Sequence, residues 1–343
     1  MIHKNTKNNG CLWLFIFSLV CITATVVISV FFQLKTTVSF VIAAILATIF
    51  TIIVYGKPSV SNLFRNVVVV FILVMGIRFA LLSFFDLVKS TATETTFKIE
   101  EGVGKSTIVE GVDTVSVYSS HRLWKDNYGN YYEGDLTVRE RDFLRLLDGP
   151  KNFKAKGNSN FWGVLYDYLD RNDSPSLDLV MKAFQQIDKD RKLNQMEFAE
   201  MVISCIQDIP YSYVFQEACY PASSYEEPIK SLLEDCPECC IGNMAYGIQN
   251  PVSFLQNLKG DCDTRTVLIY AILKHFKYDV AILNSDFYRH SIIGLNIPAK
   301  GLYKTYYGKK YVVWETTAKY YTAGQLPPNF NDLTHWNVVL TSK

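Results

Sequence analysis

From Cys11 to Phe85 apolar positions run almost unbroken, and beyond Leu87 they fall into short periodic groups separated by polar turns. Three runs fill the first part: Cys11–Phe32, Thr37–Tyr55 and Asn66–Phe85. Each approaches the ~20 residues that a helix needs to cross ~30 Å of hydrocarbon. The pattern therefore predicts an α-helical, three-span membrane anchor over residues 1–88. Lys4 and Lys7 ahead of the first run also suit a cleaved leader, but a leader accounts for one run and not three. Arg78, inside the third run, reads as a residue turned toward neighbouring helices rather than as part of an ion path. Lys4, Lys7, Lys57 and Arg65 fall on one side of such an anchor, against Lys35 and Lys89. By the positive-inside tendency, that places the N-terminus in the cytoplasm and the remaining domain outside the cell (inner) membrane.

Past the anchor, a polar, threonine-rich segment over residues 89–110 reads as a linker. Val115–Tyr118 alternates as a strand does, and the aromatic arms around Gly129 predict a hairpin. Helical periodicity then marks Phe161–Leu169, Leu177–Ile187 and Asn194–Gln207, the last ending before Ile209-Pro210. Glu217–Gly242 is rich in proline and acidic residues and reads as an excursion without regular structure. A short helix follows from Asn250-Pro251 to Leu258, then a stronger one over Cys262–Phe276. Three strands close the pattern: Val280–Leu283, Ser291–Ile297 and Tyr311–Trp314. Helices followed by strands predict an α+β fold, with a subdomain over 111–193 and a core over 194–343.

Charge removes one class of partner. Lys and Arg number 34 against 33 Asp and Glu, a net of +1, so no global field draws the chain to nucleic acid. Cysteine usage adds a constraint on compartment. Cys219, Cys236, Cys239 and Cys240 cluster in the excursion; in an oxidising compartment they form one or two disulfides, and in a reducing one they suggest zinc. A zinc ribbon wants two matched pairs, and Cys219 has no close companion, so disulfides are the expectation and no metal site is assigned. Gly102-Val103-Gly104-Lys105-Ser106 imitates a phosphate loop but lacks the required earlier glycine, since Ile99 stands there. Asp188-Lys189-Asp190 opens like a calcium loop and fails at Leu193 and Ala199. His121, His275 and His335 have no metal-ligand spacing.

Chemistry concentrates at Gly260-Asp261-Cys262. A thiol at a helix start meets unpaired N–H groups and the positive dipole end, which favour the thiolate. His290 follows 28 residues later and Glu315 a further 25, each at the edge of a strand-like run. A histidine can take the thiol proton, and a carboxylate can hold the imidazole in the useful tautomer. Spacing alone leaves a buried structural cysteine as the competing interpretation of Cys262.

Asn250–Leu255 leading into Gly260–Arg265 resembles the nucleophile segment of the transglutaminase-like superfamily. Tyr278–Ala281 followed by His290 resembles its histidine strand. Val313-Trp314-Glu315-Thr316-Thr317 is similar to its third motif, and Val202–Tyr211 to a segment found in bacterial members. The resemblance covers about Asn194 to Pro327. It implies a papain-like core in which a nucleophile helix packs on an antiparallel sheet. Carried over, Cys262 is the nucleophile, His290 the general base and then acid, and Glu315 the orienting carboxylate, where the family usually has aspartate. Gln207 is the corresponding candidate for an oxyanion donor, with a helix-end amide bonded to backbone as the alternative. The implied activity is thioester acyl transfer on peptide or protein amides, by hydrolysis or transamidation, with no cofactor. A catalytically inactive envelope-binding or assembly module on the same fold is the competing expectation.

Overall fold

A computed structural model describes residues 16–25, 28, 36–55, 102–154, 157 and 160–343. The chain divides into two compact units, Met1–Glu94 and Thr95–Lys343. In the first, helix α1 (Thr36–Tyr55) buries Ala43 and Ala47, four residues apart on one face, in a cluster with Cys21. Thr51, a further turn along, is also buried and satisfies its hydroxyl on the Ala47 carbonyl at 2.7 Å.

The expected three-span anchor is overturned here: among the described residues, no helix is long and apolar enough to cross a membrane. Of the first apolar run only residues 16–25 and 28 are described, and the third run, with Arg78, lies outside the described residues. The integral-membrane location, with its cytoplasmic N-terminus and external domain, loses its support with the anchor.

The second unit opens with an antiparallel sheet of three strands: β1 (Gly104–Glu110), β2 (Asp113–Lys125) and β3 (Tyr131–Arg139). The β2–β3 turn needs Gly129, whose φ of +92° is closed to most side chains. Strand β1 corrects the expectation of a linker over 89–110. It is an edge strand in which no residue is buried, so it lacks the alternating apolar signal by which strands are read. Helices α2 (Glu140–Leu146), α3 (Phe161–Asp173), α4 (Asp178–Arg191) and α5 (Gln195–Gln207) follow. Helix α5 begins at a capping box: Asn194 accepts from the Met196 and Glu197 amides, and Glu197 accepts from the Asn194 amide. From Phe198 to Gln207 every residue of α5 is buried.

The cysteine excursion carries more order than its composition suggested. Strand β4 (Tyr213–Val214) pairs in parallel with β5 (Cys240–Ile241), and helix α6 (Ile229–Asp235) lies between them in sequence. Two disulfides, Cys219–Cys240 and Cys236–Cys239, close it. Helices α7 (Pro251–Asn257) and α8 (Cys262–His275) then lead into β6 (Val280–Ser285), β7 (His290–Leu295), β8 (Tyr303–Tyr306), β9 (Lys309–Trp314) and β10 (Asn337–Thr341). These five strands form an antiparallel sheet in the order β10-β6-β7-β9-β8.

Helix α8 lies on β6 and β7 and also touches α3, α5 and α7. Partners on every side explain why Thr264 to Leu273 are all buried, polar residues included. Arg265, in this helix, is fully buried; its guanidinium donates to the carbonyls of Gly260, Ile206, Ile209 and Pro210. One apolar core runs from Trp124 and Leu136 of the three-stranded sheet through Phe184 and Phe254 to Ile293 and Trp314. The second unit is α+β, and a separate cluster of Ala281, Leu283, Ile292, Tyr311, Val313 and Trp336 packs within the five-stranded sheet's region.

Candidate active site

Cys262 is the first residue of α8, the turn before it set by close packing. A side chain at Gly260 would meet Phe254 and Thr264, each at 2.9 Å, so only glycine lets the chain pass between them. Asp261 caps the helix by accepting from the Thr264 amide at 3.1 Å. The Cys262 sulfur faces strand β7, where it takes a hydrogen bond from the Ser291 backbone.

The electrostatics at this sulfur differ from the expectation. Burial pushes the thiol well above its ordinary range, and the carboxylates of Asp263, Asp261 and Glu315 push it further; the Ser291 amide opposes them. A helix N-terminus favours anions, but desolvation and three nearby acids outweigh it here. Asp261 itself is pushed up to about 7, chiefly by burial and then by Asp263.

His290 opens β7, directly before Ser291. Its Nε2 lies 3.0 Å from Glu315 Oε2 and 3.2 Å from Oε1. With Nε2 engaged by the carboxylate, Nδ1 is the ring nitrogen left to exchange a proton with the thiol. Burial draws the imidazole pKa down, but Glu315, with Asp263 and Asp261 behind it, outweighs burial and the net direction is upward. The Phe330 ring stacks on the imidazole at 5.0 Å with an interplanar angle of 20°, and Trp336 meets it edge-on at 5.9 Å.

Glu315 stands one residue past β9. Its extra methylene lets the carboxylate fold back on its own turn: Oε1 accepts from the Thr316 amide (2.9 Å), the Thr317 amide (2.8 Å) and the Thr317 hydroxyl (2.7 Å). Burial alone would raise this carboxyl; His290 and these donors outweigh it and hold it below the usual range. The structure thus brings His290 and Glu315 together directly, and brings Cys262 to the same strand through Ser291.

Gln207, the last residue of α5, is placed against the acid. Its Nε2 donates to the Glu315 carbonyl at 2.7 Å and reaches the Tyr321 carbonyl at 3.4 Å. Both contacts use the amide hydrogens that an oxyanion would need. On its other side Gln207 lines a cavity of about 420 Å³ with Lys125, Asn127, Lys319 and Tyr320.

Several site neighbours escaped the sequence. Tyr166, from α3, donates to Asp263 across 97 positions, a separation that leaves no local signal. Tyr211 and Tyr213 lie within electrostatic reach of the sulfur; burial raises both phenols first, and Cys262 adds to it. Phe330 sits in a loop whose prolines gave no hint of contact with the imidazole. Elsewhere, His121 pairs with Asp135 at 2.8 Å and His335 stacks on Phe287 at 4.1 Å. Among the described residues no group of His, Cys, Asp and Glu is arranged to hold a metal ion.

Comparison with protein-family models, curated proteins and solved structures yields no match for this chain.

Proposed function

We propose that the unit Thr95–Lys343 is a thiol enzyme of transglutaminase-like type, acting on peptide or protein amides by acyl transfer. The observation that carries this reading is the His290–Glu315 pair at 3.0 Å, on the residue next to the one that hydrogen-bonds the Cys262 sulfur. A buried ion pair of this kind adds little stability for its desolvation cost, which favours a chemical use for it.

In the proposed reaction, Cys262 Sγ attacks the amide carbonyl carbon while its proton passes to His290. The C–S bond forms, the C–N bond breaks, and His290 returns the proton to the departing amine. Water or a second amine then attacks the thioester and frees the thiol. Glu315 stabilises the imidazolium in both halves. Gln207 acts by holding the Glu315 backbone.

An inactive binding module is favoured by a different observation: Cys262 is 6% and His290 9% exposed, with Phe330 over the ring. One experiment separates the two. The full chain is treated with iodoacetamide at neutral pH, and labelling of Cys262 is mapped in wild type, His290→Ala and Glu315→Ala. Cys205 serves as internal control, since burial pushes that thiol up to about 12. Fast Cys262 labelling that falls with either substitution, together with release of amine from a peptide amide, supports the enzyme. Equal labelling in all three proteins sinks it.

A further inference from the structure

Next to the nucleophile stands a second carboxylate that the proposed reaction leaves without a role. Asp263 Oδ1 accepts from the Tyr166 hydroxyl at 2.6 Å, and the Asn284 amide donates to that same hydroxyl at 3.0 Å. Tyr166 comes from α3 and Asn284 from β6, so elements distant in sequence converge on one side chain of α8. Tyr166 is fully buried and Asn284 is 8% exposed, whereas Asp263 is half-buried, toward Cys262 and His290. Ordering a phenol, an amide and a carboxylate in one row costs free energy unless every member is satisfied. The row ends on a carboxyl beside the two reacting groups; burial raises its pKa, and the Tyr166 and Ser291 donors together with His290 oppose that and favour its charged form.

We infer that Asp263 is a positioning residue of the Cys262–His290 pair: held by Tyr166 and Asn284, it shares the imidazolium with Glu315 and sets how readily the thiol gives up its proton. The inference rests on the acyl-transfer reading. The groups facing Asp263 are Cys262 and Asp261 from its own helix and cap, Tyr166 from α3, Asn284 from β6, and His290 and Ser291 from β7. Glu315 lies across the imidazole, and Tyr211 and Tyr213 face the sulfur from the β4 segment. Arg265, the nearest cation in sequence, is taken up by main-chain carbonyls. A negative charge at Asp263 disfavours the thiolate and favours the imidazolium. Removing it therefore lowers the pH at which each group loses its proton.

The test uses the full chain and two readouts: the pH profile of Cys262 alkylation, and the NMR titration of the His290 ring. In Asp263→Asn both midpoints move down by about one pH unit, the usual effect of one close charge. Tyr166→Phe, which leaves the carboxylate with the Ser291 hydroxyl as its remaining side-chain donor, moves both the same way by less. Asp263→Glu, which restores the charge, returns both toward wild type. Profiles of Asp263→Asn that coincide with wild type overturn the inference. Should that variant not fold, unmoved midpoints in Tyr166→Phe overturn it instead. If His290→Ala labels as fast as wild type, the acyl-transfer reading falls and this inference with it. If His290→Ala is slowed while Asp263→Asn is unmoved, only the inference falls.

Discussion

The two larger sheets of the second unit treat polar residues in opposite ways. In the three-stranded sheet, β2 buries only Val117, Ser120, Arg122 and Trp124, and much of its polar surface meets solvent. In the five-stranded sheet, every residue of β6 and β7 is buried. Helix α8 covers one face, and a cluster of Leu283, Ile292, Tyr311, Val313 and Trp336 fills the other. A sheet with one wet face can carry charges cheaply in side-chain pairs. A sheet enclosed on both faces holds a histidine and a carboxylate only where they satisfy each other. The chemistry of this protein is therefore expected in the second sheet, with the first as its support.

Substitutions of rising mildness sharpen that contrast. His290→Ala, at the start of an enclosed strand, should lower amide turnover by about 10²–10⁴-fold, the usual yield of general acid–base catalysis; steady-state release of amine measures it. Leu268→Ala, fully buried in α8, should cost about 2–5 kcal/mol in urea unfolding. Glu200, in α5 against the β2–β3 turn, accepts from the Asn127 amide and side chain, yet burial pushes its carboxyl up to about 7. A raised acid binds its proton more tightly when folded. Its contribution is fully present below pH ~4.5 and is lost as pH rises toward ~7, a fall of roughly 3 kcal/mol. Glu200→Gln should flatten that part of the stability profile; a wild-type profile flat over the same window would contradict the assignment. Lys105→Ala, at the edge of the open sheet, breaks an exposed pair with Glu140 and should leave the urea unfolding midpoint almost unmoved.

Legibility followed the same division. Helices α5 and α8 and the hairpin at Gly129 were readable because their signals are local: a cap at Asn194, a turn at Gly260-Asp261, a glycine with positive φ. Cys262, His290 and Glu315 were marked by residue type and position at element ends. Strand β1 was lost because an edge with no buried residue leaves no period to read. Helix α6 was hidden by prolines and acids in a segment ordered through two disulfides. The membrane anchor shows the reverse error. Hydropathy suggested spans that the described residues do not supply. Nor could composition show that burial and three acids would oppose the helix dipole at the sulfur, since that balance depends on tertiary neighbours.

Arg265 has a consequence for anyone wishing to move this nucleophile elsewhere. Its guanidinium is the hub through which the end of α5, the Pro210 turn and the Gly260 bend are tied to the reactive helix. A graft of residues 260–275 into a foreign scaffold would arrive with a buried cation and, of its four acceptors, the Gly260 carbonyl alone. Portability therefore demands the upstream segment through residue 210 as well, making the smallest transplantable unit a discontinuous one.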